Sequence, residues 1–166
     1  MRALVPRLLI LLGIALALGA FFWTKGSSRP PSQPIAFSHK VHAGENQIPC
    51  LYCHVYARRS TVAGVPSVER CMGCHKITAL GKPEVQKLQG FWNQKKPIPW
   101  VKVYRLPDFV YFSHKRHILK GVSCQSCHGE VERMDEVVAV RSLQMGWCLA
   151  CHRKEGADTD CLACHK

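Results

Sequence analysis

Much of what an ordinary globular domain carries is missing from this chain. From residue 36 onward there is no long amphipathic pattern and no alternating apolar–polar run, so neither long helices nor a half-buried sheet is expected there. Acidic residues are scarce, 11 against 23 lysines and arginines, giving a formal charge of +12. None of the ten cysteines stands alone, and no histidine lies outside two kinds of short motif. With 166 residues interrupted by ten prolines and twelve glycines, the chain is one domain at most. A chain so small and so interrupted cannot assemble a large apolar core from its own side chains. The fold class expected is mostly irregular, with brief helices between turns.

What is present is a fivefold motif. The cysteines form five C-x-x-C pairs, each followed at once by histidine: Cys50/Cys53/His54, Cys71/Cys74/His75, Cys124/Cys127/His128, Cys148/Cys151/His152 and Cys161/Cys164/His165. C-x-x-C-H is the attachment signature of c-type haem. Its two thiols add across the porphyrin vinyl groups, and the adjacent histidine is carried under the iron as proximal ligand. Zinc sites and redox dithiols also use C-x-x-C, but neither needs histidine at the next position. Histidine fills 9 of 166 positions, so five coincidences have a chance probability on the order of 10⁻⁶ to 10⁻⁷. The cofactors implied are five covalently attached c-type haems, which leaves about 33 residues for each. The haem stack must then be the core, with polypeptide wrapped around it.

A basic domain can be a nucleic-acid binder. Five haems, however, would bring ten propionates and offset about ten positive charges. The lysines and arginines read as propionate counterions, and no nucleic-acid partner is expected.

The N-terminus, "MRALVPRLLILLGIALALGAFFWTKG", runs without charge from Leu8 to Trp23, sixteen residues. If Arg7 snorkels, about twenty residues at about 1.5 Å each reach roughly 30 Å, the thickness of the hydrocarbon layer. A small-x-small cleavage site is hard to place, because Ala20 is followed by Phe21, Phe22 and Trp23. Those aromatics resemble an interfacial belt with Lys25 just beyond it. Residues 1–24 are therefore expected to form one N-terminal transmembrane helix rather than a cleaved signal peptide. The chain would sit in the cytoplasmic membrane, with the N-terminus on the inner side and the haem domain in the periplasm or extracytoplasmic space. Residues 25–35 read as a proline-rich tether, and 36–166 as the pentahaem domain.

Two hexamers, "FSHKVH" at 37–42 and "FSHKRH" at 112–117, hold the four histidines not yet used: His39, His42, His114 and His117. Haem iron takes two axial ligands, and a second histidine gives the low-potential state suited to electron transfer. These four are expected as distal ligands. The chain is then an internal duplication, with dihaem units over 36–76 and 111–153 and a fifth site over 154–166. Five irons need ten ligands and nine histidines are available, so one position calls for another donor. Methionine is the usual substitute. Met72 sits inside a C-x-x-C loop, leaving Met134 and Met145 as candidate sulfur ligands, Met134 ahead; a gap-filling core role is the competing use of either.

Between the halves, "KPEVQKLQGFW" predicts one short helix with Pro83 in its first turn and Val85, Leu88 and Phe91 on one face. Segment 91–112 holds seven of the fourteen aromatics. Base stacking is one use for aromatics among basic residues, and packing on porphyrin faces is the simpler one here. A partner-docking face fits either use.

F-x-H-x-x-H followed closely by C-x-x-C-H resembles the class III multihaem cytochromes c. That resemblance implies that His39 serves the haem at Cys50/Cys53 and His114 the haem at Cys124/Cys127. It implies more distant partners for His42, at Cys71/Cys74, and for His117, at Cys148/Cys151 or Cys161/Cys164. The whole layout, with its anchor, five sites, the linker "PIPWVKVYRLPDFVYFSHKRH" and "SLQMGWCLACHRK", resembles the pentahaem subunit of alternative complex III. The anchored multihaem subunit of menaquinone reductase complexes is similar too, though less so in haem count. The implied function is electron transfer from a quinol-oxidising complex with iron–sulfur and polytopic membrane subunits. The acceptor would be extracytoplasmic: a small cytochrome, a copper protein or an oxidase. The chain would not be an enzyme itself. Two rivals are a free periplasmic shuttle and a multihaem reductase with one open iron. Against the reductase, there is no C-x-x-C-K site and little chain to shape a substrate pocket. Intact mass of the purified protein is expected to show five haems that survive acid–acetone extraction; loss of haem on extraction would contradict covalent attachment.

Overall fold

The structure, a computed structural model, describes residues 11–14, 16 and 30–165. Residues 11–14 and 16 are helical, and the rest of the expected N-terminal helix lies outside the described residues. Among those described, no helix is long and apolar enough to cross a membrane.

Seven short α-helices follow: α1 Cys50–Cys53, α2 Val68–His75, α3 Pro83–Asn93, α4 His114–Leu119, α5 Cys124–His128, α6 Met145–Lys154 and α7 Cys161–Cys164. A π-helical turn spans Lys40–Glu45 and a 3₁₀ turn spans Val131–Arg133. Among the described residues there is no strand, only an isolated antiparallel bridge between Val110 and His165. Five of the seven helices carry a C-x-x-C motif, and each of those starts after a residue held extended: Pro49, Ser67, Ser123, Gln144 or Asp160. Of these only Asp160 caps with its side chain, accepting from the Leu162 amide. α3 has Pro83 at its start, where the missing amide costs nothing. It turns Val85 and Leu88 inward.

The protein's own core is small. Ile35, Met72, Leu88 and Ile98 form one cluster, with Val68, Cys71, Phe91 and Trp100 packed against it. Among the described residues no side chain falls below 2% exposure, and no polar or charged residue is buried. The chain exposes 13069 Å², whereas a compact chain of this mass exposes about 8,300 Å². Roughly a quarter of the surface that a compact fold of this size hides is left open by the polypeptide alone.

The halves are joined by exchange. The Lys40 amide donates to the Met134 carbonyl at 2.9 Å, and the Lys115 amide to the Ser60 carbonyl at 3.0 Å. Ser60 lies six residues after His54, and Met134 six after His128. Each hexamer thus docks behind the other half's attachment motif. The first contact is the tighter: a Cβ on Gly44 would overlap the Glu132 carbonyl oxygen. Gly44→Ala must push two backbone segments apart and is expected to cost roughly 1–3 kcal/mol. Gly90→Ala, within α3 and facing open space, should be neutral or stabilising by up to about 1 kcal/mol. Denaturant unfolding of the haem-loaded protein checks both, and equal midpoints would contradict the close approach.

Candidate haem-attachment sites

A three-residue step on a helix puts both cysteines of a motif on one face. None of the ten cysteines is in a disulfide. Their electrostatics report which motifs adjoin. Burial raises the Cys71 thiol, with Cys53 adding to it. Cys53 is raised by burial, against the pull of Arg70, with Cys50 and Cys74 next. Burial raises Cys124, followed by the neighbouring Cys50. Cys127 is raised by burial, then by Cys151 and Cys148, and Cys148 by burial, then by Cys164. In space the motifs therefore run second, first, third, fourth, fifth. That order is not the order of the chain.

The histidine rings come together in pairs. His42 and His75 have ring centres 6.0 Å apart, His114 and His128 6.4 Å with planes within 5°, and His117 and His152 6.0 Å. Two imidazoles on opposite sides of one metal, with bonds of about 2.0 Å and about 1.1 Å from nitrogen to ring centre, have centres roughly 6.2 Å apart. The pairs leave room for one iron each. His39 lies near His54, which ranks after burial among the causes that push His39 down to about 4, with His42 third. Of the two positions considered for His117, ring geometry pairs it with His152. His165 has Phe109 as its ring neighbour, at 5.7 Å.

The other ring nitrogen is held by backbone. Nδ1 faces a carbonyl oxygen in seven histidines: His42 with Ser38 (2.8 Å), His54 with Gly64 (2.6 Å), His75 with Thr78 (3.2 Å), His114 with Thr61 (2.9 Å), His117 with Ser113 (2.8 Å), His152 with Asp158, and His165 with Phe109 (3.2 Å). Donation from Nδ1–H to a carbonyl fixes the tautomer and leaves Nε2 as the lone-pair donor, the arrangement that metal-ligating histidines use. His128 instead stands edge-on to Tyr104 at 4.7 Å, and the Tyr104 hydroxyl donates to Val138 O and accepts from Val140 N, both at 3.2 Å. Burial lowers His128, with His114 and His54 adding to it. Both shifts favour the neutral imidazole, which is the ligating form.

Phe37 and Phe112 also belong to the sites. Phe37 stacks on His42 at 4.3 Å and meets His39 edge-on at 4.8 Å; Phe112 repeats this on His117 at 4.5 Å and His114 at 4.8 Å. The first letter of the repeated hexamer was the available signal. The other linker aromatics spread out. Phe91, Trp92 and Trp100 line a groove of about 780 Å³ beside the start of α2. The Tyr111 amide donates to Cys164 O at 2.8 Å, tying the fifth motif to the linker.

The three methionines differ. Met72 is buried in the core cluster. Met134 has its Cε near Gly129, just behind His128. Met145 starts α6, one turn ahead of Cys148, and is 64% exposed. Among the described residues there are three ion pairs, Lys87–Glu84, Arg133–Glu130 and Lys154–Glu155, so most of the basic side chains have no carboxylate partner in the protein. Paired thiols, opposed imidazoles and spare cations fit c-type haem. They fit zinc poorly, and no cluster of metal-binding side chains occurs among the described residues without the porphyrin.

Residues 110–166 match the family model for cytochrome c7 and related cytochrome c. The chain is also similar to the menaquinone reductase multihaem cytochrome c subunit of Nitratidesulfovibrio vulgaris, 28% identical over 92% of this chain and 86% of that subunit. Neither likeness points to alternative complex III in particular. With the five motifs, both support a multihaem c-type cytochrome.

Proposed function

We propose that this chain is a membrane-anchored pentahaem electron-transfer subunit. It takes electrons from a quinol-oxidising complex and delivers them to an extracytoplasmic acceptor, with no bond chemistry of its own. The observation that carries this reading is the set of imidazole pairs at 6.0–6.4 Å. Bound c-type haem supplies a one-electron iron couple, and bis-histidine ligation suits it to transfer rather than to substrate binding. The chain's part is to hold both imidazoles of a pair by their Nδ1 bonds, so that little reorganises between oxidation states. Contiguity of the motifs, second to fifth, supports one conducting path.

The relative from the menaquinone reductase supports a quinone-linked partner. The anchor, five motifs and linker support a complex of the alternative complex III kind, with iron–sulfur and polytopic subunits. The hydrophobic run before Trp23 supports the anchor, and its described residues Leu11, Leu12, Ile14 and Leu16 are each more than half exposed. Purification from native membranes is expected to bring down those subunits, with a protein that starts near Met1. An N-terminus beyond Trp23 in the soluble fraction would establish the shuttle instead.

The fifth iron is the odd one, since the four hexamer histidines lie with His54, His75, His128 and His152. Between the two methionines, the position of Met145 supports it as the sulfur ligand: it shares a helix face with Cys148, which adjoins Cys164. Met134 lies by the third site, where His114 already faces His128. The oxidised protein should show the sulfur-to-iron charge-transfer band, lost in Met145→Leu and kept in Met134→Leu. A missing band, with one high-spin iron that binds small ligands, would favour the reductase.

A further inference from the structure

The two hexamers provide an internal comparison, and the difference that bears on the sites is at one ring nitrogen. Their phenylalanines hold the paired rings at matching distances and tilts. His42 and His117 each reach the carbonyl four residues back at 2.8 Å. The docking bonds of Lys40 and Lys115 correspond as well. The difference is at the first histidine of each hexamer. His114 gives both its amide, at 3.0 Å, and its Nδ1, at 2.9 Å, to the carbonyl of Thr61. The residue in the corresponding place for His39 is Asp135, seven after His128 as Thr61 is seven after His54. His39 Nδ1 is buried and has no hydrogen-bond partner among the described residues.

The cause lies in the residue that replaces threonine. Asp135 accepts from the Ser38 hydroxyl at 2.7 Å, and the Ser38 oxygen in turn accepts from the Val41 amide at 3.2 Å. Beside this clamp the first hexamer leads into a π-helical turn, where the second forms the α-helix α4. His39 stands just before that turn, without the carbonyl contact that its counterpart makes.

We infer that the first attachment site is the more oxidising of the matched pair formed by the first and third sites, because His39 lacks the Nδ1 acceptor that Thr61 gives His114. This rests on reading His39 and His114 as distal ligands. A carbonyl on Nδ1–H makes an imidazole a stronger donor and favours oxidised iron; without it the reduced state gains, and second-shell hydrogen bonding is an established lever on haem potential. The Asp135 carboxylate acts in the opposite sense. It is exposed and already hydrogen-bonded, so solvent and salt screen it. Nδ1 is buried, where the missing bond has its full effect. Cys50 adjoins Cys124, so these two sites meet where the halves join, and passage from the second half to the first runs downhill.

The test is a redox titration of the full-length haem-loaded protein, followed by NMR with each site assigned through its distal histidine ring. The midpoint of the His39 site should lie above that of the His114 site. Ser38→Ala, which opens the clamp, should shift the first midpoint and leave the third in place. Equal midpoints, or the reverse order, with both rings showing iron-bound shifts, would overturn this inference and leave the electron-transfer reading standing. If either ring lacks iron-bound shifts, the ligand assignment itself falls and takes the inference with it.

Discussion

The bond from a histidine Nδ1 to a backbone carbonyl is the constraint on which the rest of this molecule depends. Seven of the nine histidines sit against such a carbonyl. Each bond turns an imidazole so that its far nitrogen points away from its own backbone. Two such rings facing each other then enclose a gap that suits one metal. The carbonyls come from turns and loops: Gly64 and Thr78 after their motifs, Asp158 after α6, Phe109 in the linker. That is why so much irregular chain is kept in so small a protein. A regular helix or strand spends its carbonyls on itself, whereas turns and loops leave carbonyls within reach of the rings.

The second constraint is reciprocity. Each half supplies a hexamer that docks behind the attachment motif of the other, so neither half completes its contacts alone. This arrangement puts the first and third motifs at the junction, with the second beside the first and the fourth and fifth beyond the third. Sequence order and spatial order part company there. Duplication normally suggests two units side by side, whereas the amide bonds of Lys40 and Lys115 show strands of contact crossing between them. Tight approach at Gly44 and a clamp at Asp135 occur in the first contact alone. A duplicated scaffold with unequal contacts gives two like sites different surroundings.

The parts legible in the sequence were those written in local spacing. C-x-x-C-H places thiols on one helical face wherever it occurs, and α3 follows from Pro83 with Val85 and Leu88 one turn apart. His42 lies near His75 and His114 near His128. The crossing of the halves could not be read, because it depends on backbone amides of Lys40 and Lys115 that any residue could supply. The Nδ1 acceptors were hidden for the same reason: a carbonyl has no letter. Phe37 and Phe112 were in view but unassigned, since a phenylalanine before a histidine has many uses. Met134 and Met145 both lie in the second half, and their letters do not say which of them neighbours the fifth motif; Met145 is on the helix of Cys148, which adjoins Cys164.

A density map of the haem-loaded protein at a resolution that locates iron would test the central claim most directly. The account predicts irons in the spatial order second, first, third, fourth, fifth, with His42 and His75 on opposite sides of one iron and His117 and His152 on opposite sides of another. Irons arranged in the order of the chain, or either histidine pair divided between two irons, would contradict it.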